Sequence, residues 1–254
     1  MPLSLLSFFS RKRNKSKIGV LYICTGKYAK FWNDFFKSAE RHLCRKSEIH
    51  YFVFSDQVID TNNNERIHFY YQPKLGWPYD TLKRFHIFLS QEAALQQMDY
   101  LYYYNANMSF QKNVTEEMIL PNASQFPSEL VGVIHPCHYN GKPEQLIYDR
   151  QLNSTAYMPI RSGIKYYQGC LSGGTTAAYL KMCHLLKSNI DTDEKRDIIA
   201  LWHDESHINH YFCQNVPMPL NPGFAYPENM KIPFKKIIVQ LDKAKVGGHE
   251  FLRN

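Results

Sequence analysis

The sequence predicts an α/β protein, with one domain built on a central, mainly parallel, twisted sheet flanked by helices. Short apolar runs alternate with helical patterns as far as Tyr104, which is typical of parallel strands joined by crossover helices. The 254 residues are 44% hydrophobic and 15% aromatic, enough for a large core. No internal repeat or obvious linker divides the chain, so one domain is the simplest arrangement.

The first half of the chain supplies the regular elements. Its predicted strands are short apolar runs that end in polar residues or glycine. They cover residues 17–23, 49–54, 67–71 and 100–104. Apolar residues at helical spacing predict helices over 29–43 and 81–97, the second with Asp80 or Thr81 as its N-cap. A polar loop is predicted at 61–65.

The second half is less regular. Residues 136–159 are polar and predict loops, and GCLSGG at 169–174 predicts a turn-rich floor. Helices are predicted at 176–186 and 204–212. The segment after Pro219 is rich in Pro, Gly and Lys and has no clear periodicity.

The chain is basic, with 30 Lys and Arg against 23 Asp and Glu, for a net charge of +7. The excess is concentrated at residues 11–17 (RKRNKSK) and in a basic C-terminal tail at about 231–254. Such a protein suits phosphate-bearing partners: nucleotides, nucleic acid or an anionic membrane. No zinc finger or RRM signature is present, so a nucleic-acid partner is not predicted.

The N-terminus is an apolar and then basic tail at residues 1–17, followed by the predicted domain at 18–254. The apolar part is shorter than the roughly 20 residues that span a bilayer, and its charges follow it, unlike a signal peptide. A frayed tail and a weak anchor on an anionic inner leaflet both fit this pattern. The six cysteines form no C-x-x-C pair. Free thiols in a reducing cytoplasm are therefore expected, with peripheral membrane contact as an alternative.

The segment WHDESH at 202–207 gathers two carboxylates, two imidazoles and an indole. His203 and His207 are four apart and would share a helix face, as in a metal hydrolase, but the zincin order is not matched and no third ligand is identifiable. Alternatively, a carboxylate here stabilises an oxocarbenium-like transition state or attacks it. Asp204 and Glu205 would also suit the first turn of any helix.

Several motifs in combination resemble glycosyltransferase family 6, which contains the ABO blood-group transferases and the α1,3-galactosyltransferase. They are YICTGKY at 22–28, NAN at 105–107, HPCHY at 135–139, YYQGCLSGG at 166–174 and WHDES at 202–206. The resemblance runs from about Ile18 to Arg253. The asparagine form and the lack of a spanning segment resemble the bacterial branch.

The resemblance implies a GT-A fold and a retaining α1,3 transfer of galactose or N-acetylgalactosamine from a UDP-sugar. The expected acceptor contains galactose, often fucosylated as in the H antigen, within a surface glycan or lipopolysaccharide. The expected partners are therefore the UDP-sugar donor and an oligosaccharide or glycolipid acceptor.

Residue roles follow from the matched motifs. Glu205 matches the catalytic carboxylate beneath the anomeric carbon. Trp202 and His135 match acceptor-binding residues, and Asp204 and Arg84 match residues that contact the donor sugar.

Further matches concern the donor. Ile23 and Tyr28 match residues near the uridine. The blood-group specificity site falls at Gln168, Gly169 and Cys170. Cys170 is bulkier than Gly or Ala and favours galactose on steric grounds, whereas Gln168 could reshape the pocket, so both donors stay open.

The sequence departs from the family pattern at the metal-binding positions. The animal members bind Mn²⁺ through Asp residues that match Asn105 and Asn107, and an amide is a weaker ligand for a hard cation than a carboxylate. We therefore expect no metal and no other cofactor, and we expect Asn105 and Asn107 to bind the donor by hydrogen bonds near its ribose or phosphate. The diphosphate still needs positive charge, and Lys243, Lys245 and Arg253 of the basic tail are the predicted donor-binding cations. This tail could close over the donor and exclude water.

Two other functions remain open from the residues. A protein that kept the fold but lost the Asp pair could bind carbohydrate or UDP-sugar without catalysis. A metal hydrolase based on His203 and His207 is the other.

Overall fold

The computed structural model describes residues 15–61 and 63–254. Ten strands lie within these residues, numbered in chain order. They are β1 (Lys17–Ile23), β2 (Glu48–Ser55), β3 (Ile67–Tyr71), β4 (Tyr100–Tyr104), β5 (Met108–Phe110), β6 (Leu130–Ile134), β7 (Tyr167–Thr175), β8 (Met218–Leu220), β9 (Tyr226–Pro227) and β10 (Ile238–Gln240).

Eight α-helices are described over the same residues. They are α1 (Trp32–His42), α2 (Tyr79–Leu82), α3 (Arg84–Leu89), α4 (Glu92–Leu95), α5 (Glu116–Ile119), α6 (Thr176–Glu194), α7 (Asp204–Gln214) and α8 (Gly248–Arg253). Short 3-10 helices are found at Gly26–Phe31, Pro143–Gln145, Pro222–Ala225 and Lys243–Val246.

Seven strands form the central sheet, in the order β3-β2-β1-β4-β7-β6-β8. Every neighbouring pair is parallel except the two that involve β7, which runs antiparallel to both β4 and β6. This confirms the predicted α/β architecture with a mainly parallel sheet. A small second sheet, in the order β5-β10-β9, lies beyond the end of β4.

Helices cover both faces of the central sheet. Alternate residues of β1 enter different apolar clusters, because successive side chains of a strand point to opposite faces. Tyr22 packs with Trp32 and Phe35 of α1, whereas Leu21 belongs to the cluster around α3, α6 and α7. Burial on both faces explains why β1 reads as a continuous apolar run.

The glycine-rich segment at 169–174 is part of strand β7, so the predicted turn-rich floor is wrong. Gly173 pairs with Tyr102 across the sheet, and a Cβ on Gly173 would lie 2.2 Å from Cδ1 of that ring. The glycine is therefore required by the aromatic ring of the neighbouring strand rather than by a turn.

The predicted helix at 81–97 is divided into α2, α3 and α4. Lys83 has φ −89° and ψ 11°, which leaves helical geometry. The hydroxyl of Ser90 bonds back to the carbonyl of Ile87 at the second break. The predicted N-cap is also wrong: Pro78 precedes α2, and Oδ1 of Asp80 instead accepts from the amide of Leu75 at 2.8 Å.

Other boundaries differ less. The predicted helix at 29–43 starts as a 3-10 turn and becomes α1 at Trp32, while α6 continues to Glu194 and α7 to Gln214. Within 136–159 the 3-10 turn at Pro143–Gln145 is the regular element, as the loop prediction implies. Strands β5, β6, β8, β9 and β10 were not predicted, because each is short or follows no clear alternation.

The two termini have different outcomes. The predicted N-terminal tail falls largely on residues 1–14, outside the described residues, so its anchor alternative stays a prediction. The C-terminal tail folds onto the domain: Leu252 is fully buried, and Nζ of Lys27 donates to the carbonyl of Phe251 at 3.1 Å. Over residues 15–61 and 63–254, the helices lack the combination of length and apolarity needed to cross a bilayer.

Candidate active site

A cavity of about 550 Å³ opens at the carboxyl ends of the central strands. Ile23 at the end of β1 and Asn105 after β4 form one part of its wall, and Gly169 on β7 forms its floor. Glu205 in the first turn of α7 and Arg253 of α8 face them. Ligands of open α/β sheets bind at this position, beyond the carboxyl ends of the strands.

The cavity gathers most of the predicted site residues. Those on its wall are Ile23, Tyr28, Arg84, Asn105, Asn107, Gln168, Gly169, Cys170, Trp202, Asp204, Glu205, Lys243 and Arg253. Two predicted residues lie elsewhere. Nζ of Lys245 contacts Oε1 of Glu228 at 2.6 Å on the surface, which corrects its predicted role. His135 lies behind the wall, where its ring packs against His138 and Tyr166.

Glu205 is held by two hydrogen-bond donors. The amide of Gly169 donates to its Oε2 at 2.7 Å, and the hydroxyl of Tyr166 donates to its Oε1 at 2.8 Å. Burial raises the pKa of Glu205 to about 7, although both donors oppose the rise. Near neutral pH this carboxyl can therefore exchange its proton.

Glu205 is also fixed through its helix. Asn209, one turn later on α7, donates from Nδ2 to the carbonyl of Tyr167 and accepts at Oδ1 from the amide of Tyr167, both at 2.8 Å. This amide pairs with the start of β7 as another strand would. It locks the helix that carries the carboxylate to the strand that forms the floor.

Asp204 pairs with a buried arginine. Nη2 of Arg84 lies 2.8 Å from Oδ2 of Asp204, and both side chains are 5% exposed. Nη1 of Arg84 donates to the carbonyl of Gly169 at 2.5 Å, and the guanidinium lies over the ring of Tyr103. Burial raises the pKa of Asp204 to about 6 despite the guanidinium beside it. The pair presents polar groups to the cavity without a net charge when both are ionised.

Asn105 and Asn107 are bonded to each other and to the protein. The hydroxyl of Tyr103 donates to Oδ1 of Asn105, and Nδ2 of Asn105 donates to Oδ1 of Asn107, both at 3.2 Å. Nδ2 of Asn107 donates to the carbonyl of Leu241 at 2.8 Å. The amide oxygens are thus used internally, and a carboxylate at 107 would face a carbonyl instead of donating to it.

These residues do not fit a divalent cation. In the described part of the chain, no group of three or more His, Cys, Asp or Glu side chains could hold a metal ion. The neutral amides at 105 and 107 supply no charge to offset the loss of hydration of a hard cation.

The metal-hydrolase arrangement of the histidines is not formed. His203 precedes α7 with φ +53° and lines the cavity. His207 is buried, with Nε2 3.9 Å from Oδ2 of Asp193, and burial lowers its pKa to about 4. The prediction that the two imidazoles share a helix face is therefore wrong.

Two positively charged side chains line the cavity beside Tyr28 and Trp77. Lys243 and Arg253 both line it, and neither makes an ion pair with another described residue. Lys243 lies over the ring of Tyr28, and burial together with Arg253 lowers its pKa to about 8. Two like charges held close without an acidic partner form a site for an anion.

Sequence reasoning missed other wall residues, including Lys74, His249 and Gln240. It also missed Trp77, which lines the same cavity as Trp202; the two residues are 52% and 47% exposed. The ring of Trp77 meets His203 edge-on at 5.0 Å. Because Trp77 lies between Gly76 and Pro78, the sequence at this point predicted only a break between elements.

The predicted donor-specificity residues form a short polar chain. The thiol of Cys170 donates to Oε1 of Gln168, and Nε2 of Gln168 donates to Oε1 of Gln240, both at 3.2 Å. Burial raises the pKa of the Cys170 thiol, so it is neutral. Gln168 is thereby held by side chains on both of its flanks.

Comparison with known proteins gives a consistent picture. The model of glycosyltransferase family 6 matches residues 4–254. The O-antigen biosynthesis glycosyltransferase WbnI of Escherichia coli is 32% identical over 237 residues, which cover 90% of this chain and 95% of that protein.

Two animal proteins are also similar. Histo-blood group ABO system transferase 2 of Rattus norvegicus is 26% identical over 254 residues, covering 96% of this chain and 73% of that protein. Globoside alpha-1,3-N-acetylgalactosaminyltransferase 1 of Gallus gallus is 28% identical over 231 residues, covering 85% and 63%. The chain thus spans less than two thirds of the chicken protein.

Proposed function

This chain belongs to glycosyltransferase family 6, and from that premise we propose that it is a retaining α1,3-glycosyltransferase. It moves galactose or N-acetylgalactosamine from a UDP-sugar to a galactose-containing acceptor, fucosylated as in the H antigen, without a metal ion. The family and the seven-stranded, mostly parallel sheet accord with a GT-A-type enzyme that takes a nucleotide-sugar donor and a glycan acceptor.

One observation carries the proposal. One cavity holds an oriented carboxylate, Glu205, and two cations, Lys243 and Arg253, that form no ion pair with the residues at 15–61 and 63–254. Breaking a sugar–diphosphate bond develops negative charge on the leaving group and positive charge on the ring. The cavity offers an opposite charge to each.

The residues act as follows. Lys243 and Arg253 receive the diphosphate, and the buried Arg84–Asp204 pair hydrogen-bonds the donor sugar. The carboxylate of Glu205 stabilises the ring cation or captures it as a covalent intermediate. Either route requires Glu205 to be ionised, and either delivers the acceptor hydroxyl to the face that UDP left, so configuration is retained.

Metal-free catalysis is supported by the series of hydrogen bonds that runs from Tyr103 through Asn105 and Asn107 to Leu241. In this series both asparagine side-chain oxygens accept hydrogen bonds from the protein. The protein cations then replace the metal charge beneath the diphosphate. The C-terminal residues 243–254 also cover this side of the cavity and exclude water from the donor.

The acceptor is bound at the open side of the cavity. The half-exposed indole of Trp202 offers an aromatic face for a galactose ring. His135 lies behind Tyr166 and supports this side indirectly. The similarity to an O-antigen biosynthesis enzyme favours a lipopolysaccharide or other surface glycan as the acceptor, in the cytoplasm or at the inner membrane face.

The test is transfer from UDP-galactose and from UDP-N-acetylgalactosamine to a fucosyl-galactose acceptor, with and without EDTA. Undiminished transfer in EDTA is expected. Activity that EDTA abolishes and Mn²⁺ restores would overturn the metal-free mechanism but keep the transferase. Binding of UDP-sugar without turnover on any galactose-containing acceptor would indicate a binding protein instead of an enzyme.

A further inference from the structure

Tyr166 is a fully buried residue to which the mechanism above gives no part. We propose that Tyr166 is a positioning residue, whose hydroxyl acts with the Gly169 amide to hold Glu205 in one orientation and in its ionised form. The inference rests on the proposed function, because Tyr166 acts through Glu205.

The geometry gives each carboxylate oxygen of Glu205 its own donor. Tyr166 donates to Oε1 at 2.8 Å, and Gly169 donates to Oε2 at 2.7 Å. Tyr166 immediately precedes β7, and Gly169 lies within that strand. Rotation of the carboxylate would break both bonds at once. Two donors therefore fix the plane of the group, whereas the Gly169 amide alone would leave it free to turn.

The tyrosine is itself held in place. Its main-chain carbonyl accepts from the amide of His135 at 2.9 Å. Its ring packs against His135, His138 and Tyr148, with centroids 5.8, 5.5 and 5.3 Å away. Because these contacts restrict the ring of Tyr166, its hydroxyl is held in a fixed position for the hydrogen bond to Glu205.

The other groups that face Glu205 do not replace this donor. Arg84 from α3 is engaged by Asp204, which precedes Glu205 on α7, and the Cys170 thiol from β7 is neutral because burial raises its pKa. The negative charge of Asp204, when ionised, disfavours ionisation of Glu205.

The imidazoles beside Tyr166 supply no positive charge either. Burial lowers the pKa of His135 to about 4 and also lowers the pKa of His138. Among the groups that favour the ionised form of Glu205, the Gly169 amide and the Tyr166 hydroxyl lower its pKa more than the charge of Arg84 does. Hydrogen bonding to a carboxylate favours its charged form.

Tyr166→Phe tests the inference because it removes the hydroxyl and keeps the ring. We expect the acid limb of the kcat/KM profile for sugar transfer to move upward by about one pH unit, since a hydrogen bond to a charged group is lost. Turnover should recover toward the parent value well above that limb. The melting temperature of each variant checks that it is folded.

Tyr148→Phe is the matched control. Its hydroxyl donates to the carbonyl of Lys165 at 2.8 Å, and its ring touches Tyr166, but it makes no bond to Glu205. The control loses an equivalent buried hydroxyl and should keep the parent acid limb.

Two results would overturn the inference, and they are distinguishable. If Glu205→Gln is inactive but Tyr166→Phe keeps the parent acid limb, Tyr166 does not hold the ionised carboxylate. If Glu205→Gln itself retains near-normal turnover, the role of Glu205 fails and the inference falls with it. An upward shift confined to Tyr166→Phe supports the proposal.

Discussion

The amide of Gly169 donates to Oε2 of Glu205 at 2.7 Å, and a Cβ on Gly169 would lie 3.3 Å from Cβ of the same glutamate. The contact is possible because position 169 has no side chain. Strand β7 and helix α7 therefore approach closely enough for the main-chain amide of Gly169 to donate to the carboxylate of Glu205. The floor of the cavity and its principal carboxylate are built as one unit.

Gly169→Ala should lower kcat by about 100-fold, because the added methyl would also lie 3.0 Å from Oδ2 of Asp204 and displace both carboxylates. Steady-state kinetics at saturating donor measures the effect. Gly141→Ala is the control, since its methyl would meet the flexible end of Leu146 outside the cavity. An unchanged kcat in Gly169→Ala would show that the close approach is dispensable.

Glu205→Gln should reduce turnover by several orders of magnitude and raise stability at the same time. The pKa of Glu205 is raised from 4.5 to about 7 in the folded protein, so ionisation above pH 7 opposes folding. The gain in the free energy of unfolding should reach up to about 3 kcal/mol above pH 7. It should fall away as the pH is lowered from 7 to 4.5, where both states bind the proton.

Urea unfolding across this pH range measures the gain, with Glu117→Gln as the surface control. Glu117 pairs with Lys46 in solvent. A stability difference that is independent of pH would contradict the raised pKa of the buried Glu205 carboxylate.

Lys243→Ala and Arg253→Ala should each weaken UDP binding by about 10- to 100-fold, since each removes a charge-assisted contact. Calorimetric titration with UDP measures this, and higher salt should reduce the difference. Lys245→Ala is a close control, because it lies in the same 3-10 helix as Lys243 but pairs with Glu228. Equal losses for Lys243 and Lys245 would assign the effect to general surface charge.

The same lysine gives UDP binding a pH dependence. The pKa of Lys243 is lowered to about 8, so its charge is lost as the pH rises through this value. Affinity should decline between pH 7 and 9 in the parent protein. The decline should be absent in Lys243→Ala.

Cys170→Gly should raise the use of UDP-N-acetylgalactosamine relative to UDP-galactose by about tenfold, because it removes a side chain that occupies room for the acetamido group. The ratio of kcat/KM for the two donors measures the change. Cys183→Ala, on the buried face of α6, is a control, because Cys183 does not line the cavity. A donor ratio that does not move would shift the steric role to Gln168.

The sequence by itself determined the class of fold and the composition of the site. Strands 17–23, 67–71 and 100–104 were correctly bounded. For 17–23 and 100–104 the reason is that a strand buried on both faces reads as a continuous apolar run and ends where polar residues begin. The grouping of Glu205, Arg84 and the amides at 105 and 107 in one cavity also followed from matched motifs. These features are local in the chain or are carried by residue identity.

Tertiary structure alone decided the rest. GCLSGG forms a strand because the Tyr102 ring occupies the space above Gly173, a contact across 71 positions that no local pattern encodes. Tyr166 became a partner of Glu205 only when β7 and α7 packed together. Lys243 was separated from Lys245 only when the tail packed against the 3-10 helix at Gly26–Phe31. Burial and pKa depend on every neighbour in space, so the ionisation of Glu205 could be known only after the chain had folded around it.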